Sequence, residues 1–214
     1  MNRKETHLEK EHPSTFSELV KCAGAGACIC LGAMVKSSVQ NPILGAFLFS
    51  IGLLAVCMFK LNLYTGKVGY IDTYPTVTEY WKKMLACFIG NLTGVALIAL
   101  LSEGPMVSGA ESICQSIVRM GTFVVFLKSI LCGIFIYIAV EGYKRCSRKI
   151  DGVLCLVLCV MGFILTGGRH CIADAAYMFI SDRYPDFAME GRILAAAMGN
   201  CVGALLARFI TLLE

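Results

Sequence analysis

The chain has 214 residues, of which 57% are hydrophobic and only 16% charged, and its mean hydropathy is +0.71. A soluble domain carries about 25% charged residues, so the composition excludes one and points to an integral membrane protein. The net charge of +4 is distributed along loops, so it reports topology and does not argue for nucleic-acid binding.

Residues 1–18 read as a polar cytoplasmic tail with no apolar core, unlike a cleavable signal peptide. The remainder, 19–214, reads as one all-α membrane domain of six transmembrane helices, with no room for a second soluble domain. Span one covers about 19–39 and is rich in Gly and Ala. Asn41-Pro42 is a turn. Span two starts near Ile43, breaks over 59–67, and resumes as a short piece from Gly66 to about Tyr74, before Pro75 ends it. In that reading Thr65 either caps the resumed piece or lines a pore with its hydroxyl. Span three covers about 80–101, and Ser102-Glu103-Gly104-Pro105 is a loop. Span four covers about 121–140. Span five starts near Val153, breaks at Thr166–Arg169 and resumes through Ile180, and span six covers about 193–213.

Broken backbone at membrane depth is tolerated only where protein buries it or where it lines a cavity. Paired broken helices in corresponding halves are the best sequence pointer to a transport site. The halves, about 19–101 and 111–213, also end alike: Gly90-Asn91-Leu92-Thr93-Gly94 is echoed by Gly199-Asn200-Cys201-Val202-Gly203. Small residues at this spacing let helix backbones approach closely. With three spans each, the halves must be inverted in the membrane. Lys and Arg in the tail, at Lys67, Lys82 and Lys83, and over Lys144–Lys149 put both termini in the cytoplasm. The last cluster also suits anionic lipid.

Most of the twelve cysteines lie in apolar runs and read as small hydrophobes. Cys155 and Cys159 lack the His or Cys cluster of a zinc site. No metal site, cofactor motif, Ser-His-Asp spacing or phosphate loop suggests an enzyme. A thiol–quinone oxidoreductase would need paired loop cysteines on the oxidising side, where Cys114 is the only loop cysteine expected.

His170 is the only histidine outside the tail, and an ionisable side chain inside a membrane span is a functional candidate. Burial between apolar rings favours its neutral form, and an arriving anion favours imidazolium. Asp174 lies four residues on, so on a continuous helix the two share a face. Near a pore for anions it must be protonated, paired with a base, turned away, or bonded to backbone amides; a pair with His170 would keep the imidazole charged longer. Lys60, Lys128 and Arg169 stand at span edges or breaks, either as attractors of anions or as groups that snorkel to headgroups.

Leu63-Tyr64-Thr65, Phe126-Leu127-Lys128-Ser129-Ile130-Leu131-Cys132, the stretch His170-Cys171-Ile172-Ala173-Asp174-Ala175-Ala176-Tyr177-Met178-Phe179 and Gly199-Asn200-Cys201-Val202-Gly203 together resemble the formate/nitrite transporter family. The resemblance covers all six spans. It implies an aquaporin-like protomer with broken helices two and five, a homopentamer in the plasma (inner) membrane, and a pore in each protomer. The implied cargo is a small monovalent anion (formate, nitrite, hydrosulfide or a short monocarboxylate), moved with protons. Thr65 and His170 would sit mid-pore, Lys128 would be a structural or attracting residue, and apolar constrictions would fall near Phe49, Leu53, Leu63 and Phe163. Three residues depart from the family pattern: Ser129 for glycine, Gly133 for asparagine and Asp174 for asparagine. The last keeps open an alternative, a neutral-solute or ammonium-type channel, because a carboxylate suits such cargo better.

Overall fold

The computed structural model describes residues 15–184 and 186–213. Among the described residues nine α-helices follow one another: α1 (Thr15–Ser37), α2 (Pro42–Met58), α3 (Tyr64–Lys67), α4 (Val77–Ala99), α5 (Pro105–Val118), α6 (Thr122–Arg145), α7 (Lys149–Leu165), α8 (Cys171–Ile180) and α9 (Phe187–Thr211). The starts follow from local chemistry. Asn41 accepts from the Ile43 and Leu44 amides at 3.0 Å each, with Pro42 in the first turn of α2. Thr76 caps α4 through the Glu79 amide at 3.1 Å, and Asp186 caps α9 through Met189 at 3.0 Å. α1, α4, α6 and α9 are each long and apolar enough to cross a membrane.

α2 and α7 stop in the same way. The Leu61 amide donates back to the Val56 carbonyl at 2.9 Å and Lys60 to Cys57 at 3.3 Å; at the end of α7, Gly168 donates to Phe163 at 2.7 Å and Gly167 to Ile164 at 3.1 Å. This paired closure needs a left-handed residue after the last turn. Gly167 takes φ 74° without strain, whereas Lys60 takes φ 52° despite its side chain.

After each stop the chain restarts as a short helix, and an asparagine from a distant helix holds the gap. Asn91, in α4, donates to the carbonyls of Cys22 (2.7 Å) and Asn62 (2.8 Å) and accepts from the Tyr64 amide at 2.8 Å. Asn200, in α9, donates to Ser129 (2.9 Å) and Arg169 (2.8 Å) and accepts from the Cys171 amide at 3.0 Å. Both side chains are fully buried. The geometry requires bare backbone nearby. A Cβ on Gly94 would stand 1.8 Å from the Ala23 carbonyl oxygen, and one on Gly203 would stand 2.0 Å from that of Ile130. α4 thus lies directly on α1, and α9 directly on α6.

α8 runs through the centre, with every residue except Phe179 buried. Around it the outward faces are apolar: Leu85, Ile89, Leu97, Leu154, Leu158 and Leu206 are all exposed. Faces of this kind belong against lipid or a neighbouring protein.

Two expectations need correction, and one departure from the family pattern finds its reason. The resumed piece of span two is shorter and starts earlier than Gly66: α3 spans Tyr64–Lys67, and a 3-10 turn follows at Ile71–Thr73. The segment after the Ser102–Pro105 turn is helical, because α5 buries Ala110, Cys114 and Ile117 on one face against α1 and α8. Cys114 is therefore a buried helix residue. Gly133 leaves no space for a side chain, since a Cβ there would lie 2.3 Å from the Asn200 carbonyl oxygen.

Asn91→Leu leaves the Tyr64 amide without its partner, and Asn200→Leu leaves the Cys171 amide and the Arg169 carbonyl without theirs, at about 1–3 kcal/mol for each buried group left unpaired. Either variant should melt well below the parent in detergent, and an unchanged melting temperature would show that the gaps are held by other contacts. Gly133→Asn should likewise lower the melting temperature, because its Cβ forces α6 away from α9.

Candidate functional site

The two restarts bring Thr65 and His170 together, although 105 positions separate them in the chain: Thr65 Oγ1 lies 2.8 Å from His170 Nε2. Both are 2% exposed. Asn91 fixes Tyr64, the residue before Thr65, and Asn200 fixes Arg169 and Cys171 on either side of His170. His170 has extended backbone and caps α8 itself, with Nδ1 accepting from the Ala173 amide at 3.1 Å.

That cap assigns the tautomer. A nitrogen that accepts from an amide carries no hydrogen, so in the neutral imidazole the proton is on Nε2. Nε2–H donates to Thr65 Oγ1, and the threonine hydroxyl keeps its own hydrogen for a further acceptor. Thr65 does not cap α3. Leu63 is the cap residue and makes no side-chain bond to it, because the helix begins one residue before Thr65.

Cavities flank the pair. A small one of about 50 Å³ touches His170 and is walled by Phe49 and Phe163. These rings meet edge to face at 6.2 Å, and Phe163 stacks on the imidazole at 6.1 Å. A larger one of about 580 Å³ lies on the α3 side, bounded by Leu63, Val56 and Val140, with Lys60, Lys67 and Lys144 around it. Leu53 is buried and lines neither described cavity. Phe49, Leu63 and Phe163 thus stand on cavity walls, and Leu53 stands in the packed interior.

Asp174 does not pair with His170. It faces Arg169, whose Nε donates to Oδ2 at 3.1 Å and whose Nη2 donates to Oδ1. The imidazole is turned back onto the start of α8 and across to Thr65, so the four-residue spacing brings a backbone bond, from the Asp174 amide to the His170 carbonyl at 2.8 Å, but no side-chain contact. The ion pair is deeply enclosed, with side-chain exposures of 12% for Arg169 and 2% for Asp174. Lys128 also stands apart from the pair. Its ammonium lies where a side chain on Gly167 would be, and its carbonyl accepts from the Arg169 amide at 3.3 Å. It supports the turn between α7 and α8.

One site residue was missed in the sequence, and another was singled out in a different role. Arg169 is the counter-ion of Asp174, and a buried aspartate in an apolar run is itself the signal that a cation must be near. Lys36, at the end of α1, lines the small cavity beside them; nothing in its surroundings along the chain marks it. Among the described residues, no three His, Cys, Asp or Glu side chains gather as a metal ion would require.

The family model described as formate/nitrite transporter matches residues 3–213. The chain is similar to an uncharacterized transporter of Saccharomyces cerevisiae, at 22% identity over 173 residues, covering 74% of this chain and 27% of that protein. It is also similar to the formate channel FocB of Escherichia coli, at 24% identity over 155 residues, covering 65% of this chain and 54% of that one. The chain therefore spans about a quarter and about half the length of these curated relatives. Among solved structures, an FNT family ion channel superposes with a TM-score of 0.83 at 20% identity, covering 92% of this chain and 89% of the other. A pentameric formate channel with formate bound superposes at 0.79 and 18% identity, covering 92% and 95%. These two likenesses show a shared channel fold. The match across residues 3–213, together with the apolar helices, makes the chain an integral membrane protein that belongs to the formate/nitrite transporter family.

Proposed function

We propose that the chain is a channel for small monovalent anions such as formate, nitrite, hydrosulfide or short monocarboxylates, with one pore in each protomer of a homopentamer. Six crossings make up the protomer: α1, α4, α6 and α9, and the two interrupted pairs α2–α3 and α7–α8. The halves run in opposite senses, as in aquaporins. The observation that carries this reading is the buried Thr65–His170 hydrogen bond, with one cavity at His170 and a larger one along α3.

Both termini face the cytoplasm. The larger cavity, rimmed by Lys60, Lys67 and Lys144, then opens to that side, and its cations raise the local concentration of anions. Beyond Leu63 the path is dry, and an unpaired ion there bears the full cost of desolvation. Two donors offset it, the Thr65 hydroxyl and the Nε2–H of His170, and the positive end of α8 points the same way. A neutral acid crosses the Phe49–Phe163 constriction more cheaply than its anion. Proton coupling runs through His170. When Nδ1 lets go of the Ala173 amide and takes a proton, imidazolium forms; transfer of a proton from it to the anion leaves imidazole and the neutral acid. Asp174 was the reason for considering a cation or neutral-solute channel, and its pairing with Arg169 removes that support.

His170→Phe should abolish acid-stimulated formate uptake into proteoliposomes, and uptake that persists with the parental pH dependence would overturn the proton-coupling role. Thr65→Val removes one hydrogen bond to a charged ligand, worth about 1.5–3 kcal/mol. Uptake should fall by about 10- to 100-fold, as read by stopped-flow light scattering with sodium formate.

A further inference from the structure

The small cavity beyond Phe49 and Phe163 holds charges that passage between Thr65 and His170 does not use. Lys36 reaches it from the end of α1, Arg169 from the turn before α8, and Asp174 from within α8. Arg169 and Asp174 are matched through both nitrogens and both oxygens, so each cancels the other. Lys36 is placed differently. Its ammonium lies over the Tyr177 ring, 5.1 Å from the centroid. It is close enough to sense both Arg169 and Asp174, yet among the described residues no carboxylate is in ion-pair contact with it. The cavity thus carries a net charge of plus one, and that charge is presented by Lys36. Its volume of about 50 Å³ compares with about 10–15 Å³ needed to admit one water, which suits a species of a few heavy atoms.

We infer that Lys36, Arg169 and Asp174 form a selectivity site for one small monovalent anion, in which Asp174 holds the net charge at plus one beside His170. The inference rests on the anion-channel reading above and extends it to a second site. Lys36 contacts the anion as it stands against the Phe49–Phe163 pair. Asp174 acts at one remove, as a positioning residue that ties up the guanidinium. A site on a conduction path must bind well enough to fill and weakly enough to empty. Two unpaired cations in so small a space would hold the anion too long, and no unpaired cation would leave the desolvated anion unsupported.

The charge can be set independently of the pore lining by four variants of the full chain in proteoliposomes, with initial uptake measured against sodium formate concentration. Lys36→Gln brings the net charge to zero and should raise the apparent KM about tenfold. Lys36→Arg keeps the charge and should recover most of that loss. Asp174→Asn frees Arg169 and should lower both KM and maximum rate. The double variant Lys36→Gln with Asp174→Asn returns the charge to plus one and should move both parameters back toward parental values. A parental channel whose KM is the same in Lys36→Gln overturns the site, as does a double variant that adds its two defects instead of compensating them. Should Asp174→Asn fail to assemble, the contrast between Lys36→Gln and Lys36→Arg decides: equal KM values overturn the site, and a charge-dependent difference supports it. A parental protein that passes neither formate, nitrite nor hydrosulfide overturns the channel reading and this site with it.

Discussion

A helix broken inside an apolar interior persists only if each amide and carbonyl it releases finds a partner, and Asn91 and Asn200 supply several of those partners here. Each is an amide side chain with two donors and one acceptor in use. Each joins the residue two before the start of a short helix, the first residue of that helix and a third helix in one set of bonds. The glycines beside them follow from this demand. An asparagine reaches a backbone carbonyl on the neighbouring helix only if the two helices touch backbone to backbone, which Gly94 and Gly203 permit. The close α1–α4 and α6–α9 contacts and the two restarts are one construction.

That construction is the same in both halves, but what it presents is not. The residue in the cap position is Leu63 in the first half and His170 in the second. The leucine forms part of the wall of the larger cavity, and the histidine turns its ring back to cap α8 while facing Thr65. The polar pair therefore needs both halves: the hydroxyl comes from one restart and the imidazole from the other. Because the backbone around each is clamped, the 2.8 Å contact is set by the scaffold and not by side-chain freedom.

Much of this was legible in the chain. The two interruptions showed as polar and glycine-containing gaps in long apolar runs, and the repeated Gly-Asn-x-x-Gly marked the helices that serve them. The bonds made by the asparagines were not legible, since spacing alone says only that small residues pack. α5 was missed because 105–118 is too short and too polar to read as a span. Its inward residues, Ala110, Cys114 and Ile117, do follow a helical period, but the period has meaning only once α1 and α8 supply a surface. A His170–Asp174 pair, one of the arrangements open to that carboxylate, does not form for a reason of local geometry. The rule for residues four apart assumes helix through both, and His170, at φ −113° and ψ 112°, lies outside the helix. Of the two roles open to Thr65, the cap is lost to a shift in where the helix begins, since the first residue is Tyr64 and not Gly66.

The Arg169–Asp174 pair does not owe its place to stability. Removing two ions from water costs several kcal/mol for each, and apolar replacements of similar volume commonly serve a fold as well or better. Nor does the turn depend on it, since the Arg169 carbonyl is held by Asn200 and its amide by Lys128. What the pair governs is the field. A guanidinium stays protonated in any protein setting, so Arg169 alone would be a permanent cation next to His170 and would oppose any proton placed on the imidazole. Asp174 converts that cation into a local dipole. The imidazole is then left to respond to what stands in the cavity, and the remaining cation, Lys36, is the one that faces the anion there.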